Sequence, residues 1–272
     1  MMNRKTFWFL VGLIVLGLLS SCLTLDGKPS DDDNPSNGGD DEGYWLPIYF
    51  DEAPTIDGRL IEWEAYEPLV TFGPGSRILS GSIDSADDLT LKIWMGWDYD
   101  YIYLAIEAID DSLPQGDVGF WDHDDVQLMI DARNDSTAEE YAEALETEIS
   151  ILRSYWKDDD YRVIIQPANN VSLQTRESFI YISSEKVLTL SDNGYTFELA
   201  IEISDLPLLW VSDGHVMGLD FEICDADWEV NEEGESVLNM GRAVSNDELP
   251  VDPWGGADYY FWKLNKCKFE VR

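Results

Sequence analysis

The chain is short of the residues that usually carry metal-dependent or covalent chemistry. Its 272 residues include two histidines, His123 and His215, and three cysteines, Cys22, Cys224 and Cys267. Two histidines are too few for a convincing zinc site. Three cysteines, one of them in an apolar leader, do not make the disulfide framework of a small secreted domain. Basic residues are scarce, 17 Lys and Arg against 55 Asp and Glu, for a net charge of −38. Such a body repels nucleic acid and anionic lipid headgroups, and it suits neutral ligands, cations and metal ions. The same charge also keeps a domain soluble. No P-loop, HExxH or GxSxG pattern occurs, and there is no internal repeat. The apolar run from Phe7 to Leu19 is too short to span a bilayer comfortably.

What is plentiful is aromatic and apolar. Hydrophobic residues make up 44 % of the chain, enough for a core, and 11 Trp and 13 Tyr exceed what a core normally absorbs. Asn3, Arg4 and Lys5 ahead of the apolar run, with Ser20 and Ser21 after it, have the layout of a secretory signal. The end of that run, Leu19-Ser20-Ser21-Cys22, resembles the lipobox of bacterial lipoproteins. The resemblance implies cleavage before Cys22, lipid modification of its thiol, and anchoring in the bacterial cell envelope, on the outer membrane or cell surface or on the periplasmic face. Residues 23–43 hold Asp, Asn, Ser, Gly and Pro with almost nothing apolar, the composition of a flexible tether. The expected organisation is a signal peptide at 1–21, a lipidated acidic tether at 22–43 and one folded domain at 44–272.

Within that domain, period-two alternation marks strands. Leu89, Leu91, Ile93, Met95 and Trp97 share one face, as do Ile102, Leu104, Ile106 and Ala108, with Asp98-Tyr99-Asp100 as the loop between them. In VGFWDHDDVQLMID, residues 118–131, Val126, Leu128 and Ile130 alternate with Gln127, Met129 and Asp131, so one side faces a core and the other water or a ligand. Ser136-Thr137-Ala138-Glu139 is a capping box ahead of Tyr141, Leu145, Ile149 and Leu152, which predicts an amphipathic helix over 136–152. Strands resume at 162–166, 178–182, 187–190, 195–203, 216–224, 236–240, 257–264 and 268–271. About a dozen short strands with turns between them predict an all-β fold, an immunoglobulin-like or jelly-roll-type antiparallel β-sandwich with one inserted helix. Cys224 and Cys267 either bridge an inner strand to the C-terminal one or remain two buried thiols.

Four segments in order resemble the family 9 carbohydrate-binding modules and the wider DOMON-like sandwich group. They are Ile56-Asp57-Gly58 with Glu62 and Trp63, Met95-Gly96-Trp97-Asp98 leading to Ile102-Tyr103-Leu104, Trp121-Asp122-His123-Asp124-Asp125-Val126-Gln127, and Gly194-Tyr195-Thr196-Phe197-Glu198 with Ile201. The resemblance covers about residues 46–270. It implies a non-catalytic module that holds the end of a glucan or xylan chain between two tryptophans, with Trp121 in the first place and Trp254 in the second. The family's glutamate after the valine is Gln127 here. A sugar offers an apolar face to an indole and a rim of hydroxyls to polar side chains, so Asp122, His123 and Gln127 complete the expected site.

Other chemistry is weaker in the sequence. Asp124 and Asp125 are neighbours on a strand and point to opposite faces, so they do not flank a glycosidic bond together. Asp225, Asp227 and Glu229 alternate and offer oxygens to calcium, without the glycine of an EF-hand loop. His123, His215, Met95, Met129, Met217 and Met240 leave a haem b electron-transfer module as the alternative, because some DOMON-like sandwiches hold haem through Met and His. A third reading is a surface scaffold domain whose sugar site has decayed.

Overall fold

The computed structural model describes residues 43–112, 123–137, 156–168, 170–230, 236–245 and 264–272. One compact unit runs from Asp40 to Arg272, and a separate unit, Met1–Gly39, lies outside the described residues. The leader, Cys22 and nearly all of the tether therefore fall outside them too, as does the helix expected over 136–152 beyond Ser136 and Thr137.

Two sheets make a sandwich. The nine-stranded sheet runs β1 (Tyr44–Trp45), β15 (Asn265–Lys268), β13 (Val216–Val230), β7 (Asp125–Asp131), β8 (Asp160–Ile165), β9 (Val171–Gln174) and β10 (Phe179–Tyr181), with β14 (Ser236–Val244) joining β13 to β4 (Arg77–Ser80). The six-stranded sheet runs β11 (Ser184–Ser191), β12 (Gly194–Glu202), β6 (Tyr101–Asp110), β5 (Leu89–Trp97) and β2 (Ile48–Tyr49), with β3 (Val70–Phe72) also on β5. Pairing is antiparallel except for β1 with β15 and β2 with β5, two short parallel pairs at the sheet edges.

The alternation read from the sequence sets the core. Leu89–Trp97 and Ile102–Ala108 turn their expected rows inward from one sheet. Val126, Leu128 and Ile130, then Tyr161, Val163 and Ile165, then Met217, Leu219, Phe221 and Ile223 do so from the other. Each such side chain contributes roughly 1.5–3 kcal/mol through burial, so the central strands hold the fold. β13 runs six residues past the strand expected at 216–224, because the acidic stretch after Cys224 pairs with β14. The two described cysteines are free and buried. Met217 lies opposite Cys267 and Cys224 opposite Asp125, so seven residues of β13, about 23 Å of strand, separate the two thiols.

A buried carboxylate ties the Ile56-Asp57-Gly58 turn to the six-stranded sheet. Glu198, on the outer side of β12, accepts the backbone N–H of Asp57 at 3.0 Å and of Gly58 at 2.6 Å, and the indole N–H of Trp63 at 2.9 Å. Thr196 adds a bond from its hydroxyl to the Gly58 carbonyl, 2.7 Å. Gly58 has a positive φ of 79°, and a Cβ there would meet the Thr189 hydroxyl at 2.2 Å, so only glycine fits. Trp63 then packs with Trp94, Tyr103, Ala105 and Ala200 in a cluster on this outer side. Glu198→Ala leaves three donors without their acceptor and should cost about 2–4 kcal/mol. Urea unfolding measures it, and a loss under about 0.5 kcal/mol would show that the carboxylate does not hold the turn.

Candidate functional site

The outer face of the nine-stranded sheet is the most polar part of the described interior. On β7 the outward row is Asp125, Gln127, Met129 and Asp131. Register places Arg162 of β8 opposite Met129, and Gln174 and Ser172 of β9 opposite Arg162 and Ile164. On the other side, Glu222 of β13 lies opposite Gln127, and Arg242 of β14 opposite Cys224. Alternation alone puts this row toward water or a ligand. Instead it is enclosed: Gln127 is 1 % exposed, Arg162 4 % and Glu222 0 %.

Enclosed polar groups are normally paired, and the central ones here are, although Ser172 Oγ and Asp131 Oδ1 have no hydrogen bond. The Gln127 amide oxygen accepts from Arg162 Nε at 2.7 Å, and its nitrogen donates to Asp125 Oδ1 at 2.7 Å. Arg242 pairs with Glu222. Burial raises the Asp125 carboxyl to about 6, while Gln127, Arg162 and Arg242 hold it down. Two guanidinium groups and two carboxylates thus share one desolvated patch. Where the family resemblance has a glutamate, Gln127 is neutral. Toward one end the outer face becomes apolar, with Met129 against Leu79, Trp156, Val244 and Leu264.

Of the expected sugar contacts, Gln127 is at the centre of this network, and His123 is buried two residues ahead of β7. Trp121, Asp122 and Trp254 lie outside the described residues. Arg162, Ser172, Gln174, Glu222 and Arg242 join the site without having been expected from the sequence. Their signal is present there, since each interrupts or flanks an apolar alternation, as Arg162 does between Tyr161 and Val163. Among the candidate haem ligands, Met95 and Met217 are packing residues of the central core and Met129 packs on the outer face. His215 sits between the rings of Trp210 and Phe269, and Met240 lies on β14 opposite Ala226.

The matching family model is described as carbohydrate family 9 binding domain-like, and it spans residues 56–241. The chain belongs to that family. A family 9 carbohydrate-binding module from Caldicellulosiruptor kristjanssonii, solved with glucose, superposes with a TM-score of 0.50 at 16 % identity over 84 % of this chain and 95 % of that one. The module from the same organism solved with cellotriose gives 0.49 at 15 % over 84 % and 94 %. At such identities the likeness is one of fold. Among curated proteins none matches the sequence.

A second polar group sits between the sheets of this family 9 domain. The expected calcium residues Asp225 and Asp227 lie with Asp88, and Asp225 lies with Asp110 and Asp124; within each trio the carboxylate oxygens are within 4.8 Å of one another. The side chain of Glu229 lies outside the described residues. Burial, reinforced by the neighbouring acids, raises the carboxyls of Asp110, Asp124 and Asp225 to about 7, 8 and 9. A carboxyl whose folded pKa exceeds its unfolded value contributes stability below the unfolded value and loses it as pH rises through the folded one. In metal-free buffer, the melting temperature should therefore fall steadily from pH 5 to pH 9. A calorimetric melting temperature that stays level or rises over that range would contradict buried, proton-holding acids.

Proposed function

We propose that this domain binds the end of a neutral β-glucan or xylan chain over the outer face of the nine-stranded sheet, and performs no catalysis of its own. Family membership carries the reading. It is supported by the polar floor of Gln127, Arg162 and their partners, a dense set of hydrogen-bonding groups on a rigid sheet. Trp121 and Trp254 supply the indole faces that cover the apolar sides of the sugar, with Asp122 and His123 beside the first. Gln127 fixes the orientation of Arg162 within that floor. The net charge of −38 suits an uncharged ligand better than an acidic glycan.

The wider setting belongs to the same proposal. The leader and the Leu19–Cys22 lipobox make the chain an exported lipoprotein held at the cell envelope by lipid on Cys22. One acyl chain binds a membrane marginally and several bind it firmly. Residues 23–43 set the domain off from the surface, where it captures polysaccharide for breakdown by other proteins.

Titration calorimetry of the full chain with cello- and xylo-oligosaccharides tests the site. Trp121→Ala and Arg162→Ala should each weaken binding at least tenfold, about 1.4 kcal/mol. Trp210→Ala, which removes an exposed indole on another part of the surface, should bind as the parent does. Unchanged affinity in both site variants, with intact folding, would remove this face from consideration.

A further inference from the structure

The outer face of the nine-stranded sheet continues past the buried polar floor to β10, at the sheet edge. Residues directly opposite each other in an antiparallel pair share a face. Tyr181 lies opposite Ser172, Ser172 opposite Ile164, and Ile164 opposite Gln127. Phe179 lies opposite Gln174, and Gln174 opposite Arg162. Two rows therefore cross the strands from the floor to the edge, one ending in Tyr181 and the other in Phe179. Exposure changes along them. Ser172 and Gln174 are buried, whereas Phe179 is 40 % and Tyr181 63 % exposed. In the other direction Glu222, opposite Gln127 on β13, is buried. Among the described residues of these rows, exposure rises only toward β10.

Core packing does not account for these two rings. Neither belongs to a core cluster, and Ile180 between them points the other way, beside Leu173 of the inner row. Edge strands are commonly blunted with charge or proline, yet β10 reads Phe-Ile-Tyr with all three residues exposed. The rings meet edge to face, with centroids 6.1 Å apart at 80°. The turn before them is pinned: the Thr175 N–H donates to the Ser178 carbonyl at 2.9 Å, and the Ser178 N–H donates to Thr175 Oγ1 at 3.0 Å. An aromatic surface on such a support suits the apolar face of a sugar, because little freedom is lost on binding. Between the rings and the floor lies Ser172, whose buried hydroxyl has no hydrogen bond.

We propose that Phe179 and Tyr181 form a further carbohydrate subsite, which stacks on a sugar ring remote from the bound chain end and makes the domain favour oligosaccharides of three or more units over a disaccharide. The proposal rests on the reading that the chain end lies over Gln127 and Arg162. Arg162 and Phe179 are two strand spacings apart, roughly 10 Å, comparable with the length of a disaccharide unit. A glycan that crosses the strands from the floor therefore brings its third ring over the aromatic pair. Stacking of this kind needs no charge on the ligand, which agrees with a neutral glycan on so acidic a chain.

Titration calorimetry of the full chain with cellobiose, cellotriose, cellotetraose and the matching xylo-oligosaccharides tests the subsite. The parent should bind the tetrasaccharide about fivefold more tightly than the disaccharide, the scale of one aromatic contact. The double variant Phe179→Ala, Tyr181→Ala should bind the disaccharide as the parent does and lose the length preference. Tyr181→Ala alone, at the more exposed ring, should lose most of that preference without a change in melting temperature. Tyr181→Phe, which keeps the ring, should retain it. A parent that binds all lengths equally, or alanine variants that keep the preference, would overturn the subsite and leave the chain-end reading standing. A parent that binds no oligosaccharide of any length overturns both. A parent that dimerises in analytical ultracentrifugation, with the double variant monomeric and its length preference intact, makes β10 an interface between copies and overturns the subsite.

Discussion

The central strands β7, β8 and β9 of the nine-stranded sheet are desolvated on both faces, and most of the structure follows from how they meet that condition. The sheet's inner face is apolar and pairs with the six-stranded sheet by ordinary hydrophobic burial. Its outer face carries Asp125, Gln127, Arg162 and Glu222, equally removed from water. Buried polar groups are normally partnered, and these four sit in a bonded network with Arg242. Removing one member would strand the others, which makes the arrangement rigid. Rigidity is what a recognition surface for hydroxyls requires, because donors held in place lose little freedom when a ligand arrives.

The motifs that mark the family divide into two physical jobs. Ile56-Asp57-Gly58, Trp63 and Glu198 do not approach the polar face. They lock the N-terminal turn onto the outer side of the six-stranded sheet through one carboxylate with three donors. Asp124, Val126 and Gln127 come from one short stretch yet serve three environments: the acidic gap between the sheets, the apolar core and the polar outer network. Period-two geometry makes that possible, and it also separates Asp124 from Asp125 as the sequence required.

Much of the fold is legible in the sequence. The rows of β5, β6, β7 and the first half of β13 are readable because apolar alternation over five or more residues matches a strand with one buried face and fits no helix. The short strands β3, β4 and β9 are not, since three or four residues carry little periodicity and their pairing is decided by partners distant in sequence. Gln127 stands out in the sequence, but its burial does not. Nothing local in Val126-Gln127-Leu128 announces that Arg162, 35 residues on, will bond its amide. Asp225 and Asp227 read as an alternating pair. That the alternation continues the core-facing row of Phe221 and Ile223, and that Asp110 meets it from the other sheet, emerges only from the strand register.

The central claim is that carbohydrate sits over the outer face of the nine-stranded sheet. The most direct measurement is nitrogen–proton correlation NMR of the labelled chain during titration with cellotriose, following the Arg162 Nε–H and Gln127 side-chain amide signals together with the indole signals. The account predicts saturable shifts of the Arg162 and Gln127 resonances and of two indoles, with the Trp63 indole unmoved against Glu198. Shifts confined to the six-stranded sheet, with Arg162 and Gln127 unchanged at saturation, would contradict it.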